Sequence, residues 1–191
     1  MSYQDQYKRW LHSPALSQPE KDELAALSHN AGEIEDRFFS LLQFGTAGLR
    51  GVMGVGLRRM NVHVIRHATQ AFANVILAEG KAFAAQGVAI CYDCRVHSQE
   101  FARAAAEVMA GNGIPVRLFE AMRPTPELSF AVREHGCAAG LNVTASHNPP
   151  EYNGYKVYWS DGAQLPPQHA AAIAAQMEQL DVFDDIQSLA Y

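Results

Sequence analysis

Apolar positions recur along this chain in two rhythms, one helical and one strand-like. Asn61 to Glu79 is the clearest helix. Ile65, Ala68, Phe72, Val75 and Ile76 repeat at three- and four-residue spacing, Asn61 is placed to cap the start, and Gly80 ends it. Lys81 to Gln86 extends or restarts that helix. Val88 to Tyr92 is a short apolar strand. Ser98 caps a helix over Gln99 to Ala110, whose Phe101, Ala104, Ala105, Val108 and Met109 form a stripe for burial. Ile114 to Phe119 is the next strand. Thr125 then reads as an N-cap with Pro126 in the first helical position, opening a helix that runs from Leu128 to Glu134 and closes at Gly136. Ala138 to Val143, small and apolar, has the composition of a strand buried on both faces. Asn153-Gly154 marks a turn into a strand over Tyr155 to Trp159, and Pro166 and Pro167 open a last helix to about Leu180.

The order strand, helix, strand, helix, strand implies a parallel core sheet with right-handed crossovers. The expected fold is α/β, a three-layer α/β/α arrangement around a mostly parallel mixed sheet, to which Tyr155–Trp159 adds antiparallel. Residues 1–43 form a helical arm ahead of it. Tyr7, Trp10 and Leu11 share one face there, and Ser17-x-x-Glu20 with Pro19 is a capping box that starts a helix through Leu27. A third helix over Glu33 to Leu42 presents Ile34, Phe38, Leu41 and Leu42. Residues 44–180 make the main domain. Residues 181–191, acidic and mixed, read as a linker or tail toward further domains.

The 191 residues are enough for one domain with a real core, and 48% hydrophobic against 18% charged residues places the chain among globular proteins. A formal net charge of −5 argues against a nucleic-acid partner held by bulk electrostatics. No apolar run approaches the roughly 20 residues that cross a bilayer, so no membrane partner is expected. Cys91, Cys94 and Cys137 make no paired framework. Cys91-x-x-Cys94 has a redox or zinc spacing, but no second pair completes a zinc site and Cys91 falls in a strand. Free thiols without a signal peptide point to the cytoplasm. His63, His67, His97 and His135 show no ligand-like spacing, and Arg58 and Arg59 are expected to face solvent.

The chemistry concentrates in Thr144-Ala145-Ser146-His147-Asn148-Pro149-Pro150. Ser146 follows the apolar strand on a loop stiffened by two prolines, where ligands collect in open α/β sheets. A serine hydroxyl is a poor nucleophile without a base or a charge-stabilising site, and His147, Lys156 and the loop amides are candidates for that help. Spacing alone leaves a turn-capping hydroxyl equally open. No Gly-x-Ser-x-Gly elbow surrounds it. Upstream, Phe44 to Gly56 carries five glycines around Arg50, whose planar fork suits phosphate oxygens. By residues alone a glycine-rich hairpin with a solvated arginine is the favoured reading.

Thr144-Ala145-Ser146-His147-Asn148-Pro149 resembles the phosphoserine signature of the α-D-phosphohexomutases, the family of phosphoglucomutase and phosphomannomutase. Phe44-Gly45-Thr46-Ala47-Gly48-Leu49-Arg50-Gly51 resembles that family's arginine-glycine loop, in the form most similar to the branch with phosphopentomutase-like members. Tyr92-Asp93-Cys94-Arg95-Val96-His97-Ser98 resembles its Asp-x-Arg-x-x-Ser segment. The three stand in the family's order, between about Phe44 and Leu165. The resemblance implies phosphoryl transfer through Ser146. A phosphate on that serine passes to a hexose monophosphate, and the bisphosphate intermediate reorients and returns its other phosphate. Arg50 and Lys156 would supply positive charge and proton transfer, His147 and Asn148 would hold the loop and the phosphate, and Asp93 and Arg95 would support the loop as an ion pair. Mg²⁺ would bind an oxygen of the phosphorylated Ser146, and a glucose 1,6-bisphosphate-type activator is implied. The family's Asp-x-Asp-x-Asp metal run, its sugar-selecting loop and its C-terminal phosphate loop do not occur in this sequence. The chain is therefore expected to be the first of four domains, folded but without turnover on its own, with the downstream domains as partners. A stand-alone sugar-phosphate-binding or regulatory module is the alternative.

Overall fold

A computed structural model describes residues 1–190. Three short helices form the arm: α1 (Tyr3–His12), α2 (Gln18–Ala26) and α3 (Ala31–Phe38). The Ser17 amide and hydroxyl donate to the Glu20 carboxylate at 2.8 and 2.7 Å, so the start of α2 is fixed as its sequence predicts. Helix α3 stops four residues short of its predicted end. Leu42 instead donates its N–H to the Leu57 carbonyl, tying the chain to a distant loop rather than to its own helix.

Strand β1 (Leu49–Val52) lies inside the glycine-rich stretch and was not predicted. Helix α4 (Val62–Ala78) is capped by Asn61, which accepts the Val64 N–H at 3.0 Å. After α5 (Lys81–Ala84) come β2 (Val88–Tyr92), α6 (Ser98–Gly111), β3 (Val116–Leu118), α7 (Thr125–Glu134), β4 (Ala139–Val143), β5 (Tyr152–Trp159) and α8 (Pro167–Gln179). Two caps shift by one residue from expectation. His97 caps α6 while Ser98, its first residue, turns its hydroxyl to Asp93. Pro124 caps α7, leaving Thr125 first and Pro126 second.

The sheet order is β1-β5-β4-β2-β3. Strands β4, β2 and β3 run parallel, and β5 and then β1 add antiparallel. Helices α4, α6 and α8 cover one face, and α7 covers the other over Ala89, Cys91 and Tyr158. The expected Asn153-Gly154 turn lies instead within β5, because β1 pairs with it there, Arg50 opposite Gly154 and Gly51 opposite Asn153. The arm's Trp10, Leu24, Ile34 and Phe38 belong to the same core as α4. Residues 181–190 fold back onto the domain: Val182 is buried, Phe183 packs on Trp10, and Leu189 donates to the Glu107 carbonyl at 2.9 Å. Arg59 does not face solvent as predicted. It is 12% exposed and bridges Glu33 and Asp36 of α3, while the more open Arg58 pairs with Asp36.

Candidate active site

The site lies where the strand order reverses. From β2 the chain crosses by α6 to β3 on one side, then by α7 to β4 on the other. The loops after β2 and β4 therefore meet at the carboxyl ends of two adjacent parallel strands, the crevice where open α/β sheets bind ligands. The β2 loop carries Asp93 and Arg95. The β4 loop carries Ser146, His147 and Asn148.

Thr144 and Ala145 are buried and Ser146 emerges exposed, with His147 Nδ1 3.4 Å from its Oγ. Arg95 holds this loop from beneath. Its guanidinium donates to the carbonyls of Ser146, Asn148, Pro149 and Tyr152 at 2.9, 2.6, 2.9 and 3.0 Å. With those donors engaged, Arg95 is a structural clamp. Its ion pair with Asp93 is long, 3.5 Å from Nε to Oδ2. Asp93 is itself occupied by the Arg95 and Ser98 donors on one oxygen and by Thr144 on the other.

From the opposite side Arg50 reaches in along β1, and its Nη1 donates to Asn148 Oδ1 at 3.1 Å. Lys156, two residues beyond Gly154 on β5, projects from the same face of the sheet as Arg50, since Arg50 lies opposite Gly154 and side chains alternate along a strand. No carboxylate pairs with either cation among the described residues, unlike Arg37, Arg59 and Arg95. Arg50, Lys156, Thr144, Gly48 and Phe44 line a cleft of about 580 Å³ along the β1 edge. Ser146, two residues beyond Thr144, is exposed and does not line it. Two cations without a paired carboxylate make this cleft a place for an anion with several oxygens, and Arg50 ties it to the serine loop through Asn148.

The residues present do not fit a resident metal. Among the described residues no group of three or more His, Cys, Asp or Glu side chains could hold an ion, and the one carboxylate under the loop, Asp93, has both oxygens engaged. Cys91 is buried, and burial pushes its thiol up to about 12, so it has no thiolate to offer beside Cys94.

The loops thus bring together Arg50, Ser146, His147 and Asn148, with Lys156 on the adjoining sheet face and Asp93 and Arg95 behind. Sequence reasoning placed Thr144 and Ser98 in motifs but missed that they, with Asn153, knit the two loops. It missed Gly154 as well, whose absent side chain lets the Thr144 carbonyl approach. A Cβ there would sit 2.5 Å from that oxygen. The sequence signal for Thr144 and Ser98 was their place in the two motifs, whereas Asn153-Gly154 is easily taken for a turn.

The sequence profile of phosphoglucomutase/phosphomannomutase, alpha/beta/alpha domain I, matches residues 41–182. A phosphopentomutase of Mus musculus is 38% identical over 180 residues, covering 91% of this chain and 29% of that protein. A phosphoglucomutase of Staphylococcus aureus is 43% identical over 148 residues, covering 78% and 26%. The crystal structure of a phosphoglucomutase/phosphomannomutase family protein from Burkholderia thailandensis superposes with a TM-score of 0.61 at 26% identity, covering 78% of this chain and 32% of that one. The chain thus spans between a quarter and a third of the length of these relatives. With the profile running through both loops of the site, this chain belongs to the phosphoglucomutase/phosphomannomutase family and carries its α/β/α domain I.

Proposed function

We propose that Ser146 is the phosphoryl carrier of a sugar-phosphate mutase. The observation that carries this reading is the exposed Ser146 hydroxyl on a loop that Arg50 contacts through Asn148, with Lys156 on the same sheet face as Arg50 and no carboxylate paired with either cation among the described residues. In the half-reaction the Ser146 Oγ–P bond breaks as a bond from phosphorus to a sugar hydroxyl oxygen forms. The hydroxyl proton leaves to a basic group at the site. The second half reverses this with the other phosphate of the bisphosphate. Such transfers depend on alignment and charge neutralisation. Arg50 and Lys156 neutralise the transferring group and serve proton transfer, His147 lies beside the hydroxyl, and Asn148 links the loop to Arg50.

Hexose 1- and 6-phosphates are the substrates implied by the family, and the mouse relative's name adds a pentose phosphate as the variant to compare. Mg²⁺ and a glucose 1,6-bisphosphate-type activator belong to this reading by resemblance. A phosphorylated Ser146 would offer the metal an oxygen, and the other ligands would come from residues outside this chain. Isomerisation therefore requires further domains, and the 191-residue chain alone is expected to interconvert no sugar phosphate. Mass spectrometry tests the carrier role: the chain is incubated with glucose 1,6-bisphosphate and Mg²⁺, joined with its downstream domains where these are needed for loading. One phosphoryl group, removable by phosphatase and absent from Ser146→Ala, is the expected result. Label on another residue, or an equal label on Ser146→Ala, defeats it.

A further inference from the structure

Ser146 has a φ of 59°, in the left-handed region that a non-glycine residue seldom adopts. Among the described residues only His97, at 64°, shares that feature. Such a conformation persists where the surroundings fix it. Here the local tether is the Thr144 hydroxyl. It accepts the Ser146 N–H at 3.0 Å and donates to Asp93 Oδ2 at 2.6 Å. The direction of both bonds is forced. An ionised carboxylate only accepts, so the single hydroxyl proton of Thr144 goes to Asp93 and its lone pair is left facing the Ser146 amide.

Asp93 is fixed in turn. Its Oδ1 accepts from the Ser98 hydroxyl at 2.8 Å and from the Arg95 N–H at 3.0 Å. Asn153, fully buried, donates to Ser98 Oγ and to the Val96 carbonyl, both at 3.0 Å. Thr144 is 5% exposed, so water does not compete freely for its hydroxyl. The chain Asn153–Ser98–Asp93–Thr144 ends on the backbone of the serine itself.

Resting on the carrier role of Ser146, we propose that Thr144 is a positioning residue for that serine. Oriented by Asp93, its hydroxyl holds the Ser146 amide and keeps the serine in the left-handed turn that presents Oγ outward. Valine has nearly the same shape and no hydroxyl, whereas serine keeps the hydroxyl and drops a methyl. Amide hydrogen exchange on the ¹⁵N-labelled chain separates the two. Thr144→Val should speed exchange at Ser146 about tenfold or more, and Thr144→Ser should stay within about threefold of wild type, with the amides of β2 and β4 unchanged. Equal Ser146 exchange in wild type and Thr144→Val overturns the assignment. Should Thr144→Val not fold, wild type decides alone: an Ser146 amide exchanging as fast as an unstructured peptide overturns it, and protection supports it. Phosphoryl uptake at Ser146 from glucose 1,6-bisphosphate should follow the same order, lost in Thr144→Val and restored in Thr144→Ser. Uptake by wild type and Thr144→Val at one rate overturns the positioning role. No uptake even by wild type joined to its downstream domains counts against the carrier reading, and amide exchange still decides the role of Thr144.

Discussion

At the scale of single residues, the site depends on what is missing as much as on what is present. Gly154 sits between the Thr144 and Leu49 carbonyls, where a Cβ would come within 2.5 and 3.1 Å of their oxygens. Both contacts are to backbone, so neither can swing away. Gly154→Ala should cost about 1–3 kcal/mol. A lower urea midpoint at unchanged slope would show it, and an unchanged midpoint would mean that β4 and β1 separate easily. Arg50 and Arg95 illustrate how two arginines in one site differ. Arg95 spends its donors on four carbonyls and has none to spare for a ligand, while Arg50 makes one side-chain contact and carries its charge unneutralised. The resemblance assigned Arg50 to the phosphate and Arg95 to supporting the loop as an ion pair with Asp93. The engaged donors show that Arg95 supports the loop through four backbone carbonyls rather than through a tight ion pair with Asp93.

At the scale of elements, the loop that leaves β1 is held by the arm. Arg37 of α3 ion-pairs with Glu23 and Glu33 and donates to the Val55 carbonyl at 3.0 Å. Arg59 at the loop's far end returns to Glu33 and Asp36. Arg37 and Arg59 are 13% and 12% exposed, so these pairs are screened less than surface ones. Arg59→Ala leaves two carboxylates without that partner and should destabilise the chain by about 1–2 kcal/mol. Arg58→Ala, at a pair between more exposed side chains, should change stability by less than about 0.5 kcal/mol. Thermal denaturation of the two variants side by side checks this, and equal losses would discard the distinction. The arm was legible because its signals are local, a capping box and a helical stripe. Strand β1 was not, because its four residues form a strand only by pairing with β5, about a hundred residues downstream in sequence.

At the scale of the whole molecule, arm, α4 and the C-terminal residues close over two buried histidines. The ring of His63 meets Trp10 and Phe183 edge-on, and its Nε2 lies 2.9 Å from Glu20. His67 Nε2 lies 3.1 Å from the Leu180 carbonyl, and its Nδ1 is buried without a partner. Burial holds both imidazoles below the ordinary 6.5, against the opposing pull of Glu20 on His63 and of Asp181 and Asp185 near His67. Arg66 reinforces the lowering at His63. With folded values below unfolded ones, the unfolded chain takes up protons first as pH falls past about 6.5. Stability from these two groups is therefore full above that pH and is lost as pH drops toward the folded values. Asp181 acts in a separate, lower window. Its hydrogen bond from Arg9 holds it down to about 2, so its contribution is full above about 3.8 and is lost as pH falls through about 2. Urea midpoints should fall between about pH 7 and pH 5.5, with the fall reduced in His63→Gln and His67→Gln. A flat profile in wild type would show that neither imidazole is kept neutral by the fold.

The α/β order, the α4 and α6 stripes, the proline start of α8, the strand that delivers Ser146 and the three motifs of the family were all legible in the sequence. Each is set by periodicity or by a short run of adjacent residues. The fold alone settled where Asn153-Gly154 falls, that Arg95 binds four backbone carbonyls, and how Asp93 and Thr144 address the serine backbone. The physical reason is that a hydrogen bond or a strand pairing across fifty or a hundred residues leaves no periodic trace. Its partners are named only when the sheet brings the ends of β2 and β4 side by side.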